Sequence, residues 1–147
     1  MLRPGPMLQF VIQKHTRGKS FHFDLMLACP ALSPEMGGTI GNRRPALKTW
    51  RLPQSFWKSK CQIACRLPDH RLKYLSYEGK ISRGRGRVVI WDKGVYRIKR
   101  WRDNLVVFQL QGKKIKGEYC LVLWPSRSVK AGQIIRGKRK KWLLVNL

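Results

Sequence analysis

The chain has 147 residues, of which 32 are lysine or arginine and only seven are aspartate or glutamate, so its formal net charge is +25 at pH 7. Hydrophobic residues make up 43% of the sequence and six are tryptophan, which excludes a disordered basic tail and predicts a folded core. Because so large a positive charge opposes compaction unless a polyanion accompanies the protein, nucleic acid is the expected partner.

Nine runs of alternating apolar or β-branched and aromatic residues predict β-strands. In chain order they cover residues 8–14, 21–28, 46–52, 61–67, 87–92, 95–101, 104–111, 118–124 and 141–147. Two groups of turn residues, Asp92-Lys93-Gly94 and Gln111-Gly112-Lys113, predict hairpins between antiparallel neighbours. No segment keeps a 3.6-residue apolar period for long, so we expect no long helix and only a short helical turn near 72–77.

These elements predict an all-β fold, a compact single-domain antiparallel β-barrel with short helical turns. We expect one domain over residues 1–147, with a core of about 10–147 and a flexible segment at 1–8. Irregular segments are expected near 29–45, 53–59, 79–86 and 125–140.

The chain shows neither a secretory signal nor an apolar run long enough for a membrane span, so we expect a cytoplasmic, nucleoid-associated protein without a membrane partner. Four cysteines, Cys29, Cys61, Cys65 and Cys120, lack a zinc-binding spacing. They are expected to be reduced structural thiols.

Two segments carry dense positive charge and suit contacts with a phosphate backbone. The first contains Arg83, Arg85 and Arg87. The second contains Arg136, Lys138, Arg139 and Lys140. The alternative is that each is an ordinary solvated charge run.

His15, His22 and Asp24 lie close together in a chain that has few histidines and acids. In a strand over 21–28, His22 and Asp24 point to the same face about 6–7 Å apart, while the alternate apolar residues face the core. His15 ends the preceding run and can fold back to join them. Two imidazoles and a carboxylate suit a divalent transition metal such as Mn²⁺ or Zn²⁺, although separate surface or DNA-contacting histidines remain the alternative.

Seven motifs occur in an order that resembles the 3′-phosphoesterase domain of bacterial DNA ligase D and its stand-alone relatives. They are QKH, FHFDLML, LKTWRLP, PDHRLKYLSYEG, GRGRVVIWDKG, LQGKKIKGEYCLV and WLLVNL. The resemblance covers about residues 10–147. It implies a β-barrel with a basic groove and a manganese-dependent site that removes 3′-phosphates and 3′-terminal ribonucleotides from DNA to leave a 3′-hydroxyl.

The resemblance also implies a role for individual residues. His15, Asp24 and His70 match the metal ligands, and His22 matches a histidine that contacts the phosphate. Tyr74 matches an active-site tyrosine. All five residues are present in this chain.

Several positions depart from the family pattern. The loop between His15 and His22 is one residue longer, and Met26 replaces an arginine on the catalytic face. Gln54 replaces a lysine, Gln62 an arginine and Pro68 a glutamate. We consider three other cations, Arg17, Lys19 and Arg71, as replacements that reach the phosphate.

The leading hypothesis is a metal-dependent phosphoesterase that acts on DNA 3′ ends, in a primer–template or a duplex. The second is a DNA-end-binding module of the same fold that has lost turnover, and the third is a ribosomal or RNA-packaging protein. Trp57 and Trp101 are candidates for stacking on frayed bases, although core tryptophans are commoner. We find no ligase or polymerase motif, so we expect any end-joining partners to be separate proteins. We expect the chain itself to be a monomer.

Overall fold

The computed structural model describes residues 6–29, 46–124 and 141–147. The predicted basic segment with Arg136, Lys138, Arg139 and Lys140 lies outside the described residues, as does most of the expected irregular segment 29–45. In the part of the chain that is described, no helix combines the length and the apolar character that crossing a bilayer requires.

The described residues form nine β-strands and two short 3₁₀ helices. The strands are β1 (Met7–Arg17), β2 (Ser20–Cys29), β3 (Ala46–Leu52), β4 (Cys61–His70), β5 (Gly79–Lys80), β6 (Arg87–Arg102), β7 (Leu105–Gly112), β8 (Lys116–Leu123) and β9 (Lys141–Asn146). The 3₁₀ helices cover Phe56–Lys58 and Leu72–Leu75, and the second lies where a helical turn is predicted. β1 begins at Met7, within the segment 1–8 that is expected to be flexible.

The strands pair in the order β1-β2-β3-β4-β9-β8-β7-β6-β5, and every pairing is antiparallel. β1 also pairs with β6, so the sheet closes on itself and only the two-residue β5 lies outside the ring. This arrangement confirms the all-β antiparallel prediction. The four cysteines are free thiols.

The alternation predicted for β2 is confirmed, because its two faces have different surroundings. Phe23, Leu25 and Leu27 belong to the main core inside the closed sheet. Met26 faces outward and belongs to a second group, the outer apolar cluster. That cluster consists of Val11, Met26 and Leu47, with Ala28, Tyr74, Leu75 and Ile90 packed against it.

The hairpin predicted at Asp92-Lys93-Gly94 is wrong, because β6 runs without interruption from Arg87 to Arg102. β1 pairs along both halves of β6, with a bulge between Ile12 and Gln13, and so keeps this long strand extended. Gly94 allows a close approach of strands rather than a turn, since a Cβ there would lie 2.1 Å from the carbonyl oxygen of Gln111. The hairpin predicted at Gln111-Gly112-Lys113 is confirmed between β7 and β8.

Asp92 organises that β7–β8 turn from the neighbouring strand. Its buried carboxylate accepts hydrogen bonds of 2.8 to 3.1 Å from the backbone N–H groups of Lys93, Lys113, Lys114 and Ile115. Unpaired N–H groups in such a place are costly because they have lost contact with water.

We therefore expect Asp92→Ala to lower the free energy of unfolding by about 3 kcal/mol, because charged hydrogen-bond acceptors contribute about 1.5–3 kcal/mol and several donors lose their partner at once. Urea unfolding measures the loss. Asp103→Ala removes an exposed carboxylate from the β6–β7 turn and is the control. Equal losses in the two variants would contradict the role of Asp92.

Candidate functional site

His15, His22 and Asp24 meet near the turn of the β1–β2 hairpin and form the histidine–aspartate cluster. His15 and His22 are cross-strand partners, and their ring centroids lie 4.8 Å apart. Nε2 of His22 lies 3.3 Å from Oδ1 of Asp24, and one donor atom from each of the three residues lies within 4.8 Å of the others. Within residues 6–29, 46–124 and 141–147, this is the one group of three or more side chains arranged to hold a metal ion.

Two polar atoms of this cluster are buried without a hydrogen-bond partner among the described residues. They are Nε2 of His22 and Oδ1 of Asp24, which are within ion-pair distance but lack the alignment of a hydrogen bond. Asp24 is only 4% exposed. Burying a polar atom without a hydrogen-bond partner is unfavourable. Buried polar atoms that lack partners and lie this close together are therefore typical of a binding site.

The second nitrogen of His15 is fixed by the backbone of a neighbouring loop. Its Nε2 lies 2.6 Å from the carbonyl oxygen of Arg85. A carbonyl only accepts hydrogen bonds, so Nε2 carries the proton and Nδ1 keeps its lone pair. Histidines that bind metals commonly donate their other N–H to a carbonyl in this manner.

The same loop brings part of the predicted basic segment to the cluster. Arg83, Arg85 and Arg87 are exposed, and Arg87 pairs with Thr16 at the end of β1. Arg17 and Lys19 are exposed on the adjoining β1–β2 turn. The structure therefore surrounds one end of the site with cations from two connections.

His70 lies apart from the histidine–aspartate cluster. It pairs with Leu47, which pairs with Ala28, and Ala28 is four residues beyond Asp24 along β2. Nδ1 of His70 lies 2.9 Å from the carbonyl oxygen of Pro68, which leaves Nε2 free as a ligand. The structure thus groups two of the three predicted metal ligands, His15 and Asp24, with His22 rather than with His70.

Tyr74 is held near the site by a buried amide that is not among the site residues predicted from the sequence. Nε2 of Gln13 donates to the carbonyl oxygens of Tyr74 and Tyr77, at 2.9 and 3.1 Å. Gln13 is the cross-strand partner of Asp24, and Tyr74 packs with its ring centroid 5.8 Å from that of His70. In the sequence, the signal for this buried amide is that Gln13 directly follows three apolar residues in FVIQ.

The positions that depart from the family pattern have different surroundings. Met26 is 1% exposed and lies in the outer apolar cluster under Tyr74 and Leu75. Gln54 and Pro68 are exposed and Gln62 is half-buried. At position 26, therefore, this chain has packed hydrocarbon in place of the cation that the resemblance implies.

Other predicted cations and aromatic residues lie further from the cluster. Arg71 is exposed beside His70. Trp57 is 45% exposed and stacks on Trp91 at 5.2 Å, whereas Trp101 is half-buried against the main core. Of the two tryptophans considered for base stacking, Trp57 is the one with an exposed ring.

Arg51 adjoins the cluster, although it is not among the site residues predicted from the sequence. It is the cross-strand partner of Asp24 on β3, so the two side chains lie on the same face of the sheet. The sequence pattern that indicates this position is the alternation within 46–52, which places Leu47, Thr49 and Arg51 on one face of the strand.

Comparison with known proteins gives one family. The family model of the DNA ligase D 3′-phosphoesterase domain matches residues 41–123, a segment that contains His70 and Tyr74 and begins after the histidine–aspartate cluster. The chain is 30% identical over 122 residues to the multifunctional non-homologous end joining DNA repair protein LigD of Mycobacterium tuberculosis (strain ATCC 25618 / H37Rv). It is 28% identical over 130 residues to the multifunctional non-homologous end joining protein LigD of Mycolicibacterium smegmatis. These alignments cover 77% and 78% of this chain but only 14% and 15% of the two relatives.

Gly86 lets the loop that carries Arg83 and Arg85, the basic loop, pack against the end of β1. It has a φ of +92°, and a Cβ would lie 2.1 Å from the carbonyl oxygen of Thr16. Gly84 has a φ of +64°, but a Cβ added there would have no neighbouring atom within 4 Å, so it is the matched control for backbone strain alone.

We expect Gly84→Ala to lower the free energy of unfolding by about 1–2 kcal/mol, the cost of a left-handed backbone for a residue with a side chain. Gly86→Ala should cost clearly more, because its methyl group meets a backbone atom that cannot give way. Thermal unfolding of both variants measures the difference. A smaller loss for Gly86→Ala would show that the loop does not pack tightly against Thr16.

Proposed function

The chain belongs to the DNA ligase D 3′-phosphoesterase family, and we propose that it is a metal-dependent phosphoesterase that trims the 3′ ends of DNA in end repair. It would remove a 3′-phosphate or a 3′-terminal ribonucleotide and leave a 3′-hydroxyl. The observation that carries the proposal is the histidine–aspartate cluster, in which buried donor atoms without partners lie next to exposed cations.

The donor set fits a divalent transition metal, Mn²⁺ by the resemblance or Zn²⁺ by its ligands. One donor atom from each of the three side chains lies within 4.8 Å of the others, so His15, His22 and Asp24 are the residues that would hold the ion. His15 and Asp24 are supported as ligands by both the resemblance and the geometry. For the third ligand, proximity favours His22, whereas the resemblance favours His70.

The metal, when bound, would polarise a phosphoryl oxygen and offset its negative charge. The chain's own residues would orient the 3′ end. Arg17, Lys19, Arg83 and Arg85 would bind the phosphates that precede the 3′ terminus, and Tyr74 would donate a hydrogen bond to the reacting phosphate.

Hydrolysis requires a water that attacks phosphorus and a proton for the departing 3′ oxygen. The bond between phosphorus and that oxygen breaks as the water oxygen binds phosphorus. In the arrangement where His70 completes the metal site, His22 is free to supply this proton as a general acid.

A second function, a DNA-end-binding module without turnover, is favoured by one observation. Met26 lies in packed hydrocarbon at the position where the resemblance implies a phosphate-binding arginine. Loss of a charged partner for phosphate lowers rates by about 10²–10³-fold when nothing replaces it. Ligase and polymerase steps, in either case, would come from other proteins or domains.

We expect the wild-type chain with Mn²⁺ to convert a 5′-labelled primer–template that ends in a 3′-phosphate to a 3′-hydroxyl product. A second substrate ending in one ribonucleotide should also be trimmed. His15→Ala and Asp24→Ala should each lower the rate by about 10²-fold or more, because each removes a donor from the metal site.

DNA binding by both variants should still weaken steeply with rising salt, because that dependence follows from phosphate contacts. Binding without any trimming by the wild type, across several divalent metals, would establish the DNA-end-binding module instead. Binding that does not respond to salt would contradict both functions.

The third metal ligand can be identified from Mn²⁺ affinity in the absence of DNA. If His22, the histidine nearest to His15 and Asp24, is the third ligand, His22→Ala weakens Mn²⁺ binding by about 10-fold or more, while His70→Ala changes it little. Electron paramagnetic resonance of free Mn²⁺ measures the affinity. The opposite order would assign His70 as the ligand, and His22 would then contact the phosphate.

A further inference from the structure

Arg51 is a cation on the face of the sheet that carries the metal donors. It lies directly opposite Asp24 across the β2–β3 pair, in a row that continues from Gln13. Directly opposed residues of antiparallel strands have Cβ atoms about 4.5–5.5 Å apart and point to the same side. The long side chain of Arg51 therefore begins next to the carboxylate of Asp24.

The side chain of Arg51 lacks the partners that neighbouring cations have. Its Nε is buried without a hydrogen bond among the described residues, and it forms none of the ion pairs in that part of the chain. By contrast, Lys48 and Arg66 both bind Asp69, and Arg66 also lies over the ring of Trp50. Asp69 thus neutralises the other cations of β3 and β4, whereas Arg51 retains unused donors beside the cluster.

Met26 leaves this part of the outward face of β2 without a cation. Met26 pairs with Thr49, and Arg51 is two residues further along β3 on the same face. At position 26 the outer apolar cluster leaves no charged group to meet a phosphate. A phosphate that approaches His22 and Asp24 meets the negative charge of Asp24, and a neighbouring cation would offset that repulsion.

We propose that Arg51 binds the terminal phosphate and supplies, from β3, the cation that Met26 does not provide on β2. This inference rests on the proposed function and specifies its substrate contact, the terminal phosphate of a DNA 3′ end. The planar guanidinium presents paired N–H donors that match two phosphate oxygens, and a lysine does not reproduce this fork.

The test compares Arg51→Met and Arg51→Lys with Arg100→Met, which removes one positive charge from an exposed position on β6. Rates are measured with Mn²⁺ on a duplex that ends in a 3′-phosphate. We expect Arg51→Met to lower kcat/KM by about 10²-fold, and Arg51→Lys to recover only a small part of that loss. Arg100→Met should stay within about twofold of the wild type, because exposed charges contribute little individually.

A binding measurement separates this inference from the proposed function. Fluorescence anisotropy without a divalent metal gives the affinities for matched duplexes that end in a 3′-phosphate or a 3′-hydroxyl. The wild type and Arg100→Met should prefer the 3′-phosphate, and Arg51→Met should lose that preference. Circular dichroism verifies that each variant is folded, and Arg51→Lys replaces Arg51→Met if the latter is not.

If the wild type prefers the 3′-phosphate through Arg51 but does not trim it, the proposed activity fails and the role of Arg51 stands. If trimming occurs and Arg51→Met leaves both kcat/KM and the end preference unchanged, the role of Arg51 is overturned while the activity stands. A wild type without any preference for the 3′-phosphate would also overturn the role of Arg51.

Discussion

The register between β1 and β2 is the constraint on which the rest of the site depends. It makes His15 and His22 direct partners and places Asp24 on the same outward face. Burial of Phe23, Leu25 and Leu27 fixes this register, since a slip of one residue would move these side chains out of the core and the site residues into it. The hydrophobic core thus sets the geometry of the polar site.

Closure of the sheet adds the residues that do not belong to the hairpin. Because β1 pairs with β6 as well as with β2, the loop before β6 lies close to His15. The carbonyl oxygen of Arg85 in that loop accepts a hydrogen bond from His15. On the other side, Gln13 fixes the backbone of the 3₁₀ helix Leu72–Leu75, whose side chains cover the outer apolar cluster. One strand therefore anchors both the basic loop and the segment that carries Tyr74.

The outer face combines hydrocarbon and charge within a short distance. Met26 is packed beneath the 3₁₀ helix, while Asp24 and Arg51 lie two residues away along β2 and β3 on the same face. Partly buried charges interact more strongly than solvated ones because water screens them less. Membership of the family fixes the scaffold, but the chemistry of this chain depends on which strand supplies each charged group.

The sequence by itself determined the strand content, the two faces of β2 and the nearness of His22 to Asp24, because alternation along a strand is a local property. It also led to the family through seven ordered motifs. Only the tertiary structure decided that β6 is continuous, that His70 lies apart from the cluster, and that Arg51 adjoins Asp24. These features depend on pairing between segments distant in the chain, and such pairing is set by closure of the sheet, which no local pattern encodes.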